Sequence, residues 1–167
     1  MRESEFHQDL VAGFTSIGWW MHKLPDLARG VTKPFDLIGC AHGKGVAIEA
    51  KWARASRKMD SQVRDSDLLV QMTDFRPHQK SELRKFYLAG GFSFAALGIE
   101  VIDCMLARGE RKAWLVPMEW LLDQPEWRVH EMDPRCRLVW QPGVGWLPQD
   151  DLRRYAQGAA IFPRYPP

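Results

Sequence analysis

The sequence predicts an α/β fold, a mixed β-sheet flanked by helices, and three observations predict it. An amphipathic repeat opens the chain; two short apolar runs joined by a glycine-bearing turn follow; a second helical segment then leads into further apolar runs. The resulting order is helix, strand, hairpin, helix, strand, strand, and helices alternating with strands in this way pack on the faces of a sheet.

Phe6, Leu10, Phe14 and Ile17 recur at spacings of four, four and three, which is one face of a helix over residues 4–17 with Ser4 as its cap. Residues 19–24 are aromatic and apolar enough for a short strand, which Pro25 ends. Residues 26–33 carry Gly30 and Thr32 ahead of a proline and read as a loop. The β-capable runs 35–39 and 46–52 flank CAHGKG, where Gly43 and Gly45 are expected to supply the positive φ angles of a tight turn, so the two runs should form an antiparallel hairpin.

Residues 54–67 are polar and charged with little apolar periodicity, which predicts an exposed segment acting as a lid or an arm. Residues 74–89 read as a helix, with Pro77 tolerated in its first turn and Gly90-Gly91 closing it. The runs 92–98, 101–108 and 113–116 predict three further strands, and 117–122 the start of a short helix. Beyond Gln124 the chain is rich in Trp, Pro and Arg and gives no firm pattern, apart from a last helix over 150–157.

The 167 residues suit one domain, with a core over about residues 4–116 and a Trp-rich extension over about 117–167. No internal repeat or low-complexity linker divides them. A content of 46% hydrophobic and 26% charged residues excludes a disordered chain. No run approaches the roughly 18 uncharged apolar residues of a membrane helix, and the polar start MRESEFHQDL is unlike a signal peptide. A cytoplasmic location is expected, for a gene of the cell or of a phage acting in it. Cys40, Cys104 and Cys136 are odd in number and form no C-x-x-C pair, which points to reduced thiols rather than disulfides or structural zinc. A net charge of +2 is too mild to identify a polyanionic partner, so the placement of charge matters more than its sum.

Chemistry concentrates in KPFDLIGCAHGKGVAIEAKWA. Strand side chains alternate faces, so Glu49 and Lys51 share a side, and the hairpin brings the strand of Asp36 alongside. Two carboxylates and an ammonium then converge. Close carboxylates repel and are costly to bury unless paired or bound to metal. Mg²⁺ relieves that repulsion, being a hard cation that takes one or two carboxylates together with water and phosphate. An E-x-K tripeptide alone is usually a solvated face; the specificity lies in its conjunction with Pro-x-Asp on an apolar strand and a glycine turn.

Pro34, Phe35 and Asp36, a hairpin, then Glu49, Ala50 and Lys51 resemble the PD-(D/E)XK nuclease superfamily, and within it Holliday junction resolvases of the Hjc and RecU types, over about residues 4–100. The resemblance implies a restriction-endonuclease-like mixed sheet flanked by helices, and a Mg²⁺-dependent DNA endonuclease in which Mn²⁺ substitutes. In that reading Asp36 and Glu49 bind metal and Lys51 assists the water. Such resolvases also carry a metal-binding Glu on their first helix. Glu5, beside the apolar face, is the candidate for it, and Glu3 the rival. Thr32 lies near the place of a functional hydroxyl in some of these enzymes. The run Pro77-His78-Gln79, a helix, Gly90-Gly91 and FSFAALGIE is similar to a RecU-like stretch that would put Gln79 near the metal. The Trp-rich C-terminal third and the long span between Lys51 and His78 depart from the pattern, which leaves restriction, repair and exonuclease activities as alternatives.

Lys51, Arg54, Arg57, Lys58 and Arg64 form a basic stretch after the catalytic strand, which Lys80, Arg84 and Lys85 would extend, so Arg54, Arg57, Lys58, His78 and Lys80 are the candidate DNA contacts. His7, His22, His42 and His130 read as surface or structural residues, since none has metal-ligand spacing to another. The tryptophans suit core or dimer packing. The expected assembly is a homodimer, because two symmetric cuts in a four-way junction need two active sites. A DNA-binding module with a decayed site is the remaining reading; intact Asp36, Glu49 and Lys51 speak against it.

Overall fold

The structure is a computed structural model that describes residues 2–25, 33–57, 69–71, 75–103, 108–118, 126–128 and 134–150. Helix α1 (Glu3–Ser16) buries Phe6, His7, Leu10, Gly13 and Phe14, the stripe that the apolar spacing marks out. Strand β1 (Trp20–Lys23) follows, and β2 (Leu37–Ala41) returns antiparallel to it.

The turn between β2 and β3 (Lys44–Arg57) consists of two residues, His42 at φ 51° and Gly43 at φ 77°. Two-residue hairpins favour turns with positive φ at both central positions, because that twist matches the strands. The left-handed pair is therefore His42 and Gly43, where the sequence pointed to Gly43 and Gly45. Gly45 is already paired with Cys40 in the ladder.

Strand β3 also runs further than its apolar pattern suggests. Residues 54–57, expected to begin an exposed arm, pair in parallel with Glu100 to Asp103 of β5 (Phe92–Asp103). Backbone pairing with an equally long neighbour extends a strand regardless of side-chain periodicity. Residues 58–67 of the expected arm lie outside the described residues.

Strand β4 (Leu69–Gln71) and helix α2 (Pro77–Leu88) lead into β5, and β6 (Arg108–Pro117) pairs antiparallel with it. The three runs expected here are two strands. Glu100 does not interrupt β5, because Arg111 lies opposite on β6 and its Nε donates to the Glu100 carboxylate at 3.1 Å. Strand β7 (Glu126–Arg128) pairs with β4 as a separate two-stranded ribbon. A 3₁₀ turn (Pro134–Cys136) then precedes the hairpin of β8 (Arg137–Gln141) and β9 (Gly145–Pro148). The helices expected over 117–122 and 150–157 fall almost wholly outside the described residues.

The main sheet has seven strands in the order β1-β2-β3-β5-β6-β8-β9, with β3 and β5 parallel and the remaining neighbours antiparallel. It is a mixed sheet with helices packed on it, as the sequence predicts. Helix α1 touches β3 in the middle of the sheet and the two edge strands β1 and β9, so the sheet curls around it. The contact with β9 is backbone against backbone. A Cβ on Gly13 would meet the Trp146 carbonyl oxygen at 2.0 Å, and one on Gly145 the Asp9 carbonyl oxygen at 2.2 Å. Trp146 itself is buried and meets Phe6 edge-on, with ring centroids 6.2 Å apart.

Alternation along β3 divides the two faces. Trp52 packs on Phe6 of α1 with centroids 4.8 Å apart, while Glu49 and Lys51, on the opposite parity, face the side of α2. Among the described residues no helix is long and apolar enough to cross a membrane.

Candidate active site

Asp36 stands at the point where the β2–β3 ladder begins. Its N–H donates to the Ile48 carbonyl at 3.1 Å and its carbonyl accepts the Leu24 N–H at 2.8 Å. The side chain continues the ladder: Oδ2 accepts the Ala50 N–H at 3.0 Å. Lys33 Nζ lies 2.8 Å from the other oxygen, Oδ1. The carboxylate is thus buried in a fixed orientation. Burial by itself would raise its pKa, but the Lys33 hydrogen bond and the Ala50 amide outweigh it and hold Asp36 below the usual carboxylate range.

Glu49 is fully buried at the middle of the sheet. Its Oε1 accepts hydrogen bonds from Lys51 Nζ at 2.6 Å and from the Gln79 side-chain amide, while Oε2 is buried with no partner. Burial, then the negative charge of Asp36, push its pKa up to about 7, against the opposing pull of Lys51. The two acids share their repulsion unequally. Asp36 keeps its charge on its own cation and amide, and Glu49 bears the strain.

Gln79 reaches Glu49 because of its place in α2. As the third residue of that helix it accepts the Arg76 N–H at 2.9 Å through Oε1, the back-bonding half of a capping box. The rest of the amide is left to donate to Glu49. Lys51 shares the Glu49 face by the two-residue period of the strand; its side chain is 26% exposed, and the ammonium lies 5.7 Å from the centre of the Phe75 ring. It is therefore the cation beside Glu49, and it is partly open to solvent.

A fourth element contributes a residue that its spacing in the sequence does not single out. His7, expected to be a surface or structural histidine, is 5% exposed on the inner face of α1, with Nε2 3.7 Å from Asp36 Oδ2 and 3.8 Å from Glu3 Oε1. Neither ring nitrogen has a hydrogen-bond partner. Burial lowers its pKa, although Asp36 and Glu3 pull the other way. Glu3, His7 and Asp36 offer ligand atoms that all lie within 4.8 Å of one another. Glu5, the first-helix candidate, is exposed and its Oε2 accepts the Arg2 N–H at 2.9 Å, closing the first turn of α1. The carboxylate directed toward Asp36 is that of the rival, Glu3.

Asp36, Glu49, Lys51 and Gln79 are accordingly brought together, and Glu5 is not. His78 and Lys80 lie in the first turn of α2, and both are half-buried. Arg54 and Arg57 continue β3 beyond Lys51, so they follow the site along the same strand. Thr32 and Lys58 lie outside the described residues.

The donor set suits a hard divalent cation. A buried, partnerless carboxylate oxygen beside a second carboxylate is costly in the absence of positive charge, and Glu49 Oε2 is such an atom. Oxygen donors of this kind are what Mg²⁺ and Mn²⁺ take.

No protein-family model matches the chain, and no curated protein matches it. Among solved structures it is similar to Hjc of Archaeoglobus fulgidus, a Holliday junction resolvase from an archaeal hyperthermophile, at 15% identity and a TM-score of 0.46, covering 92% of this chain and 98% of that one.

Proposed function

We propose that this protein is a divalent-metal-dependent DNA endonuclease that hydrolyses phosphodiester bonds at four-way junctions. The observation that carries the chemistry is Glu49: wholly buried, with one oxygen engaged by Lys51 and Gln79 and the other without a partner, its pKa raised by that burial and then by the neighbouring Asp36 carboxylate. Asp36 and Glu49 would hold the cation. When bound, the cation supplies polarisation of the phosphoryl oxygens and acidifies a coordinated water.

The protein's own groups divide the remaining work. Lys33 and the Ala50 amide orient Asp36. Gln79 fixes the rotation of the Glu49 carboxylate so that Oε2 is presented. Lys51, the solvent-reached cation beside Glu49, is placed to hold an attacking water or to stabilise charge developing on the phosphate. Arg54 and Arg57, further along the strand, would meet the backbone that runs on from the scissile phosphate.

The four-way junction as substrate rests on the motif resemblance, and its paired cuts would require a twofold assembly. Incubating the protein and Mg²⁺ with a synthetic junction, a nicked duplex and a linear duplex tests it, with Glu49→Gln as the control. Preferential, symmetric cleavage of the junction is the expected result. Equal cleavage of linear duplex points to a restriction, repair or exonuclease activity on the same chemistry. No cleavage of any DNA in Mg²⁺ or Mn²⁺ by a protein that also fails to bind either ion removes the nuclease reading.

A further inference from the structure

We infer that His7 is a ligand of the catalytic cation through Nε2, beside Asp36, and that this nitrogen shifts the site toward first-row transition ions and away from Mg²⁺. The inference rests on the metal-dependent reading above and adds to it a ligand and a selectivity.

The starting observation is that a buried imidazole lacks any hydrogen bond. Both nitrogens of His7 are without a partner although the residue is 5% exposed, and polar groups that deeply placed are almost always bonded. The atoms that Nε2 faces are carboxylate oxygens. It is 3.7 Å from Asp36 Oδ2 and 3.8 Å from Glu3 Oε1, too far for hydrogen bonds. Two atoms bound at about 2.1 Å to one cation lie about 3 to 4 Å apart. The separation is that of shared ligands.

The helix enforces this arrangement. Glu3 and His7 are one turn apart on α1 and so share a face, and the side chain of Phe6 next to His7 is packed on Trp52 and Trp146. Asp36 is held by Lys33 on Oδ1 and by the Ala50 amide on Oδ2. Helix α1 does not carry His7 away from this carboxylate without dismantling that packing.

The consequence concerns which ion binds. Mg²⁺ takes oxygen ligands in a strict octahedron, and a nitrogen in its shell gives it little. First-row transition ions accept imidazole readily, with affinity rising along the series from Mn²⁺. A site in which His7 joins Asp36 and Glu3 therefore discriminates where an all-carboxylate site does not.

Pulsed electron paramagnetic resonance on the full chain loaded with Mn²⁺ tests the ligand, and calorimetric titration with Mn²⁺ and Mg²⁺ tests the selectivity. Wild type carrying ¹⁵N-labelled histidine should show nitrogen hyperfine coupling to Mn²⁺; the coupling should vanish in His7→Gln and persist in His78→Ala. Mn²⁺ should bind wild type at least about tenfold more tightly than Mg²⁺, with the ratio falling severalfold in His7→Gln. The wild-type spectrum decides the matter even where His7→Gln does not fold. Mn²⁺ binding that is lost in Asp36→Asn yet shows no nitrogen coupling in wild type overturns the assignment of His7 and leaves the nuclease reading in place. Binding unaffected by both Asp36→Asn and Glu49→Gln, or absent from wild type, overturns both.

Discussion

Gln79 donates its side-chain amide to the Glu49 oxygen that also receives Lys51, which leaves the second Glu49 oxygen buried without a partner. The same Gln79 side chain accepts the Arg76 N–H at the start of α2. One residue therefore ties the beginning of a helix to the orientation of an acid.

Replacing Gln79 with Ala should cost on both counts. The lost helix cap is worth about 1 kcal/mol of folding stability, and loss of a group that orients a ligand lowers metal affinity about 10- to 100-fold. Chemical denaturation and Mg²⁺ titration measure the two effects separately. Metal affinity equal to wild type would mean that Glu49 keeps its orientation unaided.

Lys51→Ala should lower the rate of the cutting step by about 10² to 10³ and leave DNA affinity within severalfold of wild type, since one phosphate-facing charge among several is removed. Single-turnover cleavage with saturating enzyme reads the first, and a binding titration in Ca²⁺ the second. A loss confined to binding would place Lys51 in the DNA track rather than at the reacting atoms.

Glu49 gives the metal-free protein a pH dependence of definite sign. Its pKa is raised from 4.5 to about 7 in the folded state, so folding binds a proton; the associated stability is full below about pH 4.5 and is lost as pH rises through about 7. A shift of that size corresponds to a contribution on the order of 3 kcal/mol. Asp36 shifts downward and does not titrate in this window. Thermal melts of wild type and Glu49→Gln from pH 5 to 8.5 should show wild type losing ground as pH increases, and Mg²⁺ should restore more stability at pH 8 than at pH 6. A difference between the two proteins that stays flat with pH would be inconsistent with a protonated Glu49.

The triple change Arg54→Ala, Arg57→Ala and Lys58→Ala should weaken binding to every DNA tested and flatten the salt dependence by roughly one unit of slope for each phosphate that these side chains neutralise. Fluorescence anisotropy across a salt series reads it. An unchanged slope takes this part of the chain out of the interface.

Much of this architecture is legible in the sequence because its signals are local. The spacing of Phe6, Leu10 and Phe14 marks the buried stripe of α1, and alternation alone puts Glu49 and Lys51 on one face. The hairpin that brings Asp36 alongside is signalled by Gly43, although its left-handed partner is His42 and not Gly45. What escapes depends on partners distant in the chain. Strand β3 reaches Arg57 because β5 is there to pair with it, and no periodicity in residues 54–57 announces that. The β8–β9 hairpin joins the sheet through β6, again by pairing rather than by pattern.

The first helix carries a further signal in its angular pattern. At roughly 100° per residue, Glu3 falls within the arc spanned by Phe6, Leu10 and Phe14, and His7 lies about 20° from Phe14 at its margin. Glu5 points well away, on the other side of Phe6. Angular position favours Glu3 and His7 over Glu5 as the residues turned inward. Lys33 carries no such mark: its contact with Asp36 depends on the backbone path into β2.

The close seam between α1 and β9, at Gly13 and Gly145, joins two segments far apart in the chain. During synthesis the first helix emerges long before its partner strand β9 exists, so it must wait for every strand between them before it can dock in full. His7 and Glu3 ride on that helix. A chain cut short ahead of the last hairpin would retain every acid, amide and ammonium of the site in its sequence and still lack the brace that sets two of them in place.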